Sequence, residues 1–277
     1  MKKTILLTGC TTGIGKETAI ALAKEGSNLI LLSRNEQKLK ELQSMLVAKY
    51  HNKNIHYYAC DFEDLKQVVS VAKHIAAKYS HLDTLINNAV IWKKQKSTST
   101  DEFEMTWTVN YFAPFLLTFH LRKLMLKTAK ETKDVRIINL SSEAHRFGKI
   151  DFNNLFAFDF RGTYGATKLA NMLYTFKMAR ILNGFGVTSN CVHPGVVATG
   201  LWRELPKFIA WILDKFLISP AEGAKTTLFL ANQPQLKENG LYWANMKVAK
   251  PSKAALDEKL QDELYEKTKV MLKKYLV

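Results

Sequence analysis

Tyr164 and Lys168 stand four residues apart, the spacing that puts two side chains on one face of a helix. A free phenol has a pKa of about 10, too high for easy proton exchange at neutral pH. A neighbouring ammonium favours the tyrosinate and lowers that value. Such a pair can deliver a proton to an oxygen on which negative charge develops. A second constellation lies near the chain start. Thr4-Ile5-Leu6-Leu7-Thr8 runs into Gly9-Cys10-Thr11-Thr12-Gly13-Ile14-Gly15 and then into an Ala- and Leu-rich stretch. Strand, glycine-rich turn and helix in that order suit a pyrophosphate. Residues without Cβ let it reach the backbone, and the helix N-terminus offers free N–H groups and a positive dipole end.

A third signal concerns the ligand's far end. The second apolar run ends Leu31-Leu32-Ser33-Arg34, with no acid to bind ribose hydroxyls. Arg34 can pair bidentately with a 2′-phosphate, Ser33 can add a hydrogen bond, and Lys38 can add charge one helical turn on. The missing acid and the added base both favour NADP(H), with NAD(H) as the alternative.

These residues need a scaffold. Short apolar runs at 4–8, 28–33, 54–59, 84–87, 135–140 and 187–192 read as strands, and 240–243 as a closing one. Their continuous apolar character suits strands covered on both faces. Amphipathic stretches at 13–25, 36–49, 65–79, 101–127 and 163–183 read as helices. Asn35 is an expected N-cap, Ser99 with Glu102 forms a capping-box pattern, and Ser219-Pro220-Ala221-Glu222 forms another with Pro at the first helical position. Asp61 can cap the helix after the third strand. The alternation predicts one doubly wound α/β domain, a parallel sheet of about seven strands with helices on both faces and an insertion near 200–218. The domain spans 1–277, with a cofactor part over about 1–135 and a catalytic part over about 136–277.

Composition sets the outer bounds. The chain has 277 residues, 47% hydrophobic and 23% charged, with only 13 Gly and 6 Pro, which excludes disorder and collagen-like sequence. A net charge of +15 attracts anions, but no nucleic-acid module is recognisable. Cys10, Cys60 and Cys191 show no paired spacing, which argues for a reducing compartment and against a zinc site. The first apolar run is too short for a signal peptide or a membrane span, so a soluble cytoplasmic protein is expected. His193 has no second ligand at useful spacing and reads as structural.

Taken together, Thr8-Gly9-x-x-x-Gly13-Ile14-Gly15, Asn87-Asn88-Ala89, Tyr164-x-x-x-Lys168 and His193-Pro194-Gly195, in that order along nearly the whole chain, resemble the motifs of the classical short-chain dehydrogenases/reductases. Lys168-Leu169-Ala170-Asn171 and His193-Pro194-Gly195 are similar to the retinol dehydrogenase and WW-domain oxidoreductase branch. The resemblance implies a Rossmann fold and interconversion of carbonyl and alcohol by hydride transfer. It implies that Tyr164 is the acid/base, that Lys168 holds the nicotinamide ribose and tunes Tyr164, and that Ser142 bonds the substrate oxygen. Ser141 is the lesser candidate, since adjacent strand residues face opposite ways. Asn110 matches the family's helix Asn, which supports Lys168 through a water. The cofactor set implied is Gly9, Thr12, Gly13, Ile14, Gly15, Ser33, Arg34, Asp61, Phe62, Asn88, Ala89, Tyr164, Lys168, Pro194, Val197 and Thr199, with Asp61 at the adenine amino group. Val90 departs from the family's Gly after Asn-Asn-Ala, which is expected to crowd the backbone beneath the cofactor.

The segment at about 198–218 looks like the family's substrate lid. Phe208, Ile212 and Phe216 fall on one apolar helical face there, and with Ser142 they are the expected substrate contacts. Such walls suit a lipophilic, retinoid-, steroid- or aldehyde-like compound. Packing on the core or weak contact with a membrane surface are alternative uses of that face, and a homo-oligomer is compatible with it. The other function class is an NADP(H)-binding interaction protein that presents this helix to a partner. The filled set Asn110, Ser142, Tyr164 and Lys168 favours the enzyme.

Overall fold

The computed structural model describes residues 2–195, 218–234 and 236–277. Val197, Thr199, Phe208, Ile212 and Phe216, with nearly all of the expected lid, lie outside the described residues.

Alternation along the strands builds two apolar layers. In β1 (Thr4–Thr8), Ile5 and Leu7 enter one cluster and Leu6 the other. In β2 (Asn28–Ser33), Leu29 and Leu31 part in the same way from Ile30 and Leu32, as a period of two requires. One layer is completed by α1 (Gly13–Lys24), α2 (Glu36–Tyr50) and α7 (Pro220–Asn232). The other is completed by α3 (Leu65–Lys78), α5 (Ala113–Thr132) and α6 (Phe160–Ile181). A last helix, α8 (Glu258–Met271), adds Leu264 to this second layer.

The remaining strands are β3 (Ile55–Ala59), β4 (Thr84–Asn87), β5 (Val135–Leu140), β6 (Val187–His193), β7 (Tyr242–Ala244) and β8 (Lys247–Ala249). They form one eight-stranded sheet in the order β3-β2-β1-β4-β5-β6-β7-β8. Every pairing is parallel except β7 with β8. The strand order reverses between β1 and β4, and at such a switch point the connections leave in opposite directions and open a crevice beyond the strand ends.

The α/β reading holds, with local corrections. The closing strand starts at Tyr242 rather than 240, because Gly240 has φ +70° and belongs to the preceding turn. The eighth strand follows a two-residue turn in which Asn245 and Met246 both have positive φ, as a tight hairpin of primed type needs. No capping box forms at Ser99 and Glu102. Ser99 N–H donates to Phe103 O and Glu102 has φ +66°, so the chain turns there. Helix begins instead as a single turn, α4 (Met105–Trp107), where the Glu104 carboxylate accepts from Trp107 N–H. It widens into a π turn over Thr108–Phe112 before α5. Asp64, not Asp61, caps α3, accepting from Lys66 and Gln67 N–H. Helix α6 starts three residues before the expected 163, at Phe160, because Asp159 accepts from Gly162 N–H. The caps Asn35 and Ser219 are as expected.

Candidate active site

The glycine turn closes on itself at the switch point. A Cβ on Gly15 would sit 2.2 Å from Gly9 O, and one on Gly9 would sit 2.8 Å from Ala89 Cα. Gly9 and Gly13 have φ +66° and +55°, conformations that glycine adopts at no steric cost. From β4's end, Asn88 Nδ2 donates to Thr8 O (2.8 Å) and Gly9 O (3.0 Å). Ala89 N–H donates to Thr8 Oγ1. Thr12 is the extended N-cap of α1 and its side chain caps nothing, so the first turn, with Gly13, Ile14 and Gly15, keeps N–H groups for an anion. This cradle fits a dinucleotide pyrophosphate. Val90 has no positive φ, so the family's Gly is not needed for backbone conformation at that position.

At the end of β2, where the adenosine is expected, the Ser33 hydroxyl is 3.1 Å from Thr11 Oγ1 and ties β2 to the turn. Arg34 is two-thirds exposed, and its guanidinium lies 3.3 Å from Glu63 Oε1. Lys93 Nζ lies 3.6 Å from the same oxygen. Asp61 Oδ1 accepts from Glu63 N–H, which holds that carboxylate in place. Phe62 turns its ring into the apolar core. Lys38 is exposed on α2. Pro194 follows β6, beside Gly195 at φ +90°.

The residues expected to act as acid and base meet where β5 ends against α6. Ser142 leaves the end of β5; its hydroxyl accepts from Ala144 N–H (3.2 Å) and lies close enough to Tyr164 to favour the tyrosinate. Ser141 points the other way and donates to Lys168 O (3.0 Å), so its hydroxyl is engaged in structure. Lys168 Nζ donates to Leu140 O (3.0 Å) and lies 5.6 Å from the centre of the Tyr164 ring. Both side chains are buried. Burial decides both titrations: it pushes Lys168 down to about 7 and Tyr164 up to about 12, against the smaller lowering from Ser142. The expectation that Lys168 lowers the phenol's pKa is therefore corrected for the protein alone. The ammonium is itself desolvated and gives up its charge near neutrality.

Asn110 sits in the π turn, an element frequent at functional sites. Its Oδ1 accepts from Ile91 N–H (2.8 Å), and its Nδ2 donates to Ile91 O (2.9 Å) and Thr167 Oγ1 (3.2 Å). It reaches the residue beside Lys168 rather than bonding Lys168 directly.

Three contributors escaped the sequence reading. His145 Nδ1–H donates to Ser142 O (2.7 Å), while Nε2 accepts from Ser252 N–H (3.1 Å). Backbone partners on both sides fix the neutral tautomer, and burial lowers the pKa against the smaller raising effect of the Ser142 carbonyl. Glu63 is the second, and only its charge could have marked it. The third, Trp92, stacks on Phe160 and Tyr164, and only its place three residues after Asn-Asn-Ala hinted at the site. Among the described residues no cluster of three or more His, Cys, Asp or Glu could hold a metal, and no helix is long and apolar enough to cross a membrane.

Comparison with known proteins bears directly on this geometry. Human (Homo sapiens) retinol dehydrogenase 11 is 36% identical over 270 residues, covering 95% of this chain and 84% of that protein. Mouse (Mus musculus) retinol dehydrogenase 13 is 35% identical over 276 residues, covering 95% of this chain and 81% of that protein. The crystal structure of an uncharacterized protein from Mycobacterium paratuberculosis shares the fold, with a TM-score of 0.78 over 98% of this chain and 93% of that one at 23% identity. A family model described as short chain dehydrogenase matches residues 3–209. With its glycine cradle at the switch point, the chain belongs to the short-chain dehydrogenase/reductase family, on the retinol dehydrogenase branch, and is an oxidoreductase acting on CH–OH groups.

Proposed function

We propose that this protein interconverts a lipophilic carbonyl compound and its alcohol with NADP(H). One observation carries the reading: the buried Tyr164 and Lys168 converge with the half-buried Ser142 at the end of β5, in the sheet whose β1 leads into the glycine cradle. Relatives named retinol dehydrogenases support a retinoid-like substrate or a comparable aldehyde or steroid. The nicotinamide, when bound, supplies or accepts the hydride. Everything else is work for this chain's own residues. Ser142 Oγ holds the substrate oxygen, and Tyr164 Oη gives it a proton in reduction and recovers it in oxidation. Lys168 holds ribose hydroxyls, and Asn110 orders the segment beneath it. Arg34 and Ser33 hold the 2′-phosphate, Asp61 contacts the adenine, and a 2′-phosphate would draw Arg34 away from Glu63. The cofactor part covers about 1–135 and the catalytic part about 136–277.

The test is NADPH consumption, followed by absorbance, on aldehydes and ketones of increasing apolar length, retinaldehyde included. Tyr164→Phe should abolish turnover while NADPH binding stays near wild type, because the ring keeps its packing and only the proton donor is lost. Turnover by Tyr164→Phe near the wild-type rate would overturn the assignment.

A further inference from the structure

The segment from Asn88 to Trp92 joins the cofactor cradle to the acid/base helix. Asn88 ties it to Thr8 and Gly9, and two hydrogen bonds from Asn110 clamp the backbone of Ile91. Trp92 then reaches the first turn of α6 in three ways. Its Nε1–H donates to Phe160 O at 2.7 Å. Its ring lies 4.8 Å from the Phe160 ring at 13°, and 4.6 Å from the Tyr164 ring at 17°. Phe160 and Tyr164 are one turn apart on the same helix face, so one indole is stacked against both. By contrast, the rings of Trp107, Tyr111 and Phe112 meet one another at tilts of 36° to 88°.

From this arrangement we infer that Trp92 is a positioning residue for Tyr164: its indole, anchored on the Phe160 carbonyl, holds the phenol in the orientation that meets Ser142 and keeps water from the ring face. The inference rests on the reading of Tyr164 as acid/base. Two consequences follow from the contacts. A phenol with a flat ring against it can swing only if the indole moves, so proton delivery depends on Trp92 although the indole has no titratable proton. The indole is also part of the burial that keeps the phenol protonated, so its removal lets water in and makes ionisation easier. Because Trp92 lies four residues after Asn88 on a clamped segment, the position of the phenol is set from the strand end that also braces the glycine cradle.

The test uses the full chain labelled with 3-fluorotyrosine. The Tyr164 fluorine resonance is assigned by its loss in Tyr164→Phe, and wild type is compared with Trp92→Ala, Trp92→Leu and Trp92→Phe. In the Ala and Leu variants the Tyr164 signal should shift, as its ring-current neighbour is gone, and should ionise about one pH unit lower. Carbonyl reduction should lose at least about tenfold in kcat, with the KM for NADPH within about twofold of wild type. Trp92→Phe keeps a stacked ring and should recover most of kcat. An unmoved Tyr164 signal with unchanged ionisation would overturn the role of Trp92, as would a fall in melting temperature with kcat and pH profile unaltered. The two failures read differently. An unmoved signal in a protein that reduces carbonyls removes only the positioning role. A moved signal in a protein whose wild type reduces none overturns the proposed function itself.

Discussion

Arg34, just after β2, and Lys93, in the segment that follows β4, approach one carboxylate oxygen of Glu63 at 3.3 and 3.6 Å. The cations that could receive a 2′-phosphate are thus already engaged by an anion, and cofactor choice becomes a competition. Arg34→Asp replaces a bidentate donor with a repelling carboxylate. NADPH affinity should fall by about one to two decades, the loss of about 1.5–3 kcal/mol for a charge-assisted contact, and preference should move towards NADH. Glu63→Gln should act in the opposite direction. Partly exposed pairs are worth about 0–1 kcal/mol, so NADPH should bind up to about fivefold tighter while NADH changes little. Fluorescence titration of both cofactors at low salt checks the pair. Equal NADPH affinity in wild type and Arg34→Asp would make Arg34 an ordinary surface residue.

The glycine turn and α1 leave almost no steric freedom, since a methyl group on Gly15 would meet Gly9 O at 2.2 Å and Asn88 Nδ2 at 2.5 Å. Gly15→Ala must therefore push the turn off the β4 end. The expected result is lost NADPH binding and a lower urea midpoint, with destabilisation of about 1–3 kcal/mol as for other overpacked sites. Retained binding would show that the cradle yields. This element was legible in the sequence because its signal is local: strand, turn and helix lie within the first 24 residues. Most strands were legible as well, because burial on both faces keeps β1, β2, β4 and β5 largely apolar, whereas the short, mostly exposed β8 left no such signal. The start of the helix after β4 was not. Ser99 and Glu102 have the spacing of a capping box, yet the short bridge between Thr98 and Glu104 takes that stretch out of helix. The π turn leaves no pattern either, for all five residues from Thr108 to Phe112 are buried. Trp92 was illegible for another reason. Its partners Phe160 and Tyr164 lie on a distant helix, and only the folded sheet brings the two segments together.

Lys168 carries its burial into the stability of the entire molecule. Its folded pKa of about 7 lies below the 10.5 of an unperturbed lysine, so between those values the unfolded chain holds a proton that the folded chain lacks. Stability must then rise with pH across that window, by up to about 1.4 kcal/mol per unit. Below pH 7 both states are protonated and the cost of the buried ammonium is present in full. Other shifted groups among the described residues act elsewhere. His120, His145 and His193 are lowered from 6.5 and act on the acid side. Cys10, Cys60 and Cys191 are raised from 9.0, and Tyr164 from 10.0; for these the folded chain keeps the proton longer, so stability falls only at higher pH. Among the shifted groups of the described residues, the interval from pH 7 to just below 9 therefore belongs to Lys168. Urea unfolding of the cofactor-free protein should show a gain of about 1.5–2 kcal/mol across it. Lys168→Met keeps the length and apolar stem while removing the titrating amine, and should flatten the slope and raise stability at pH 7. A slope that persists unchanged in Lys168→Met would assign the titration to another group, and the buried amine beside Tyr164 would then keep its proton in the folded chain throughout this interval.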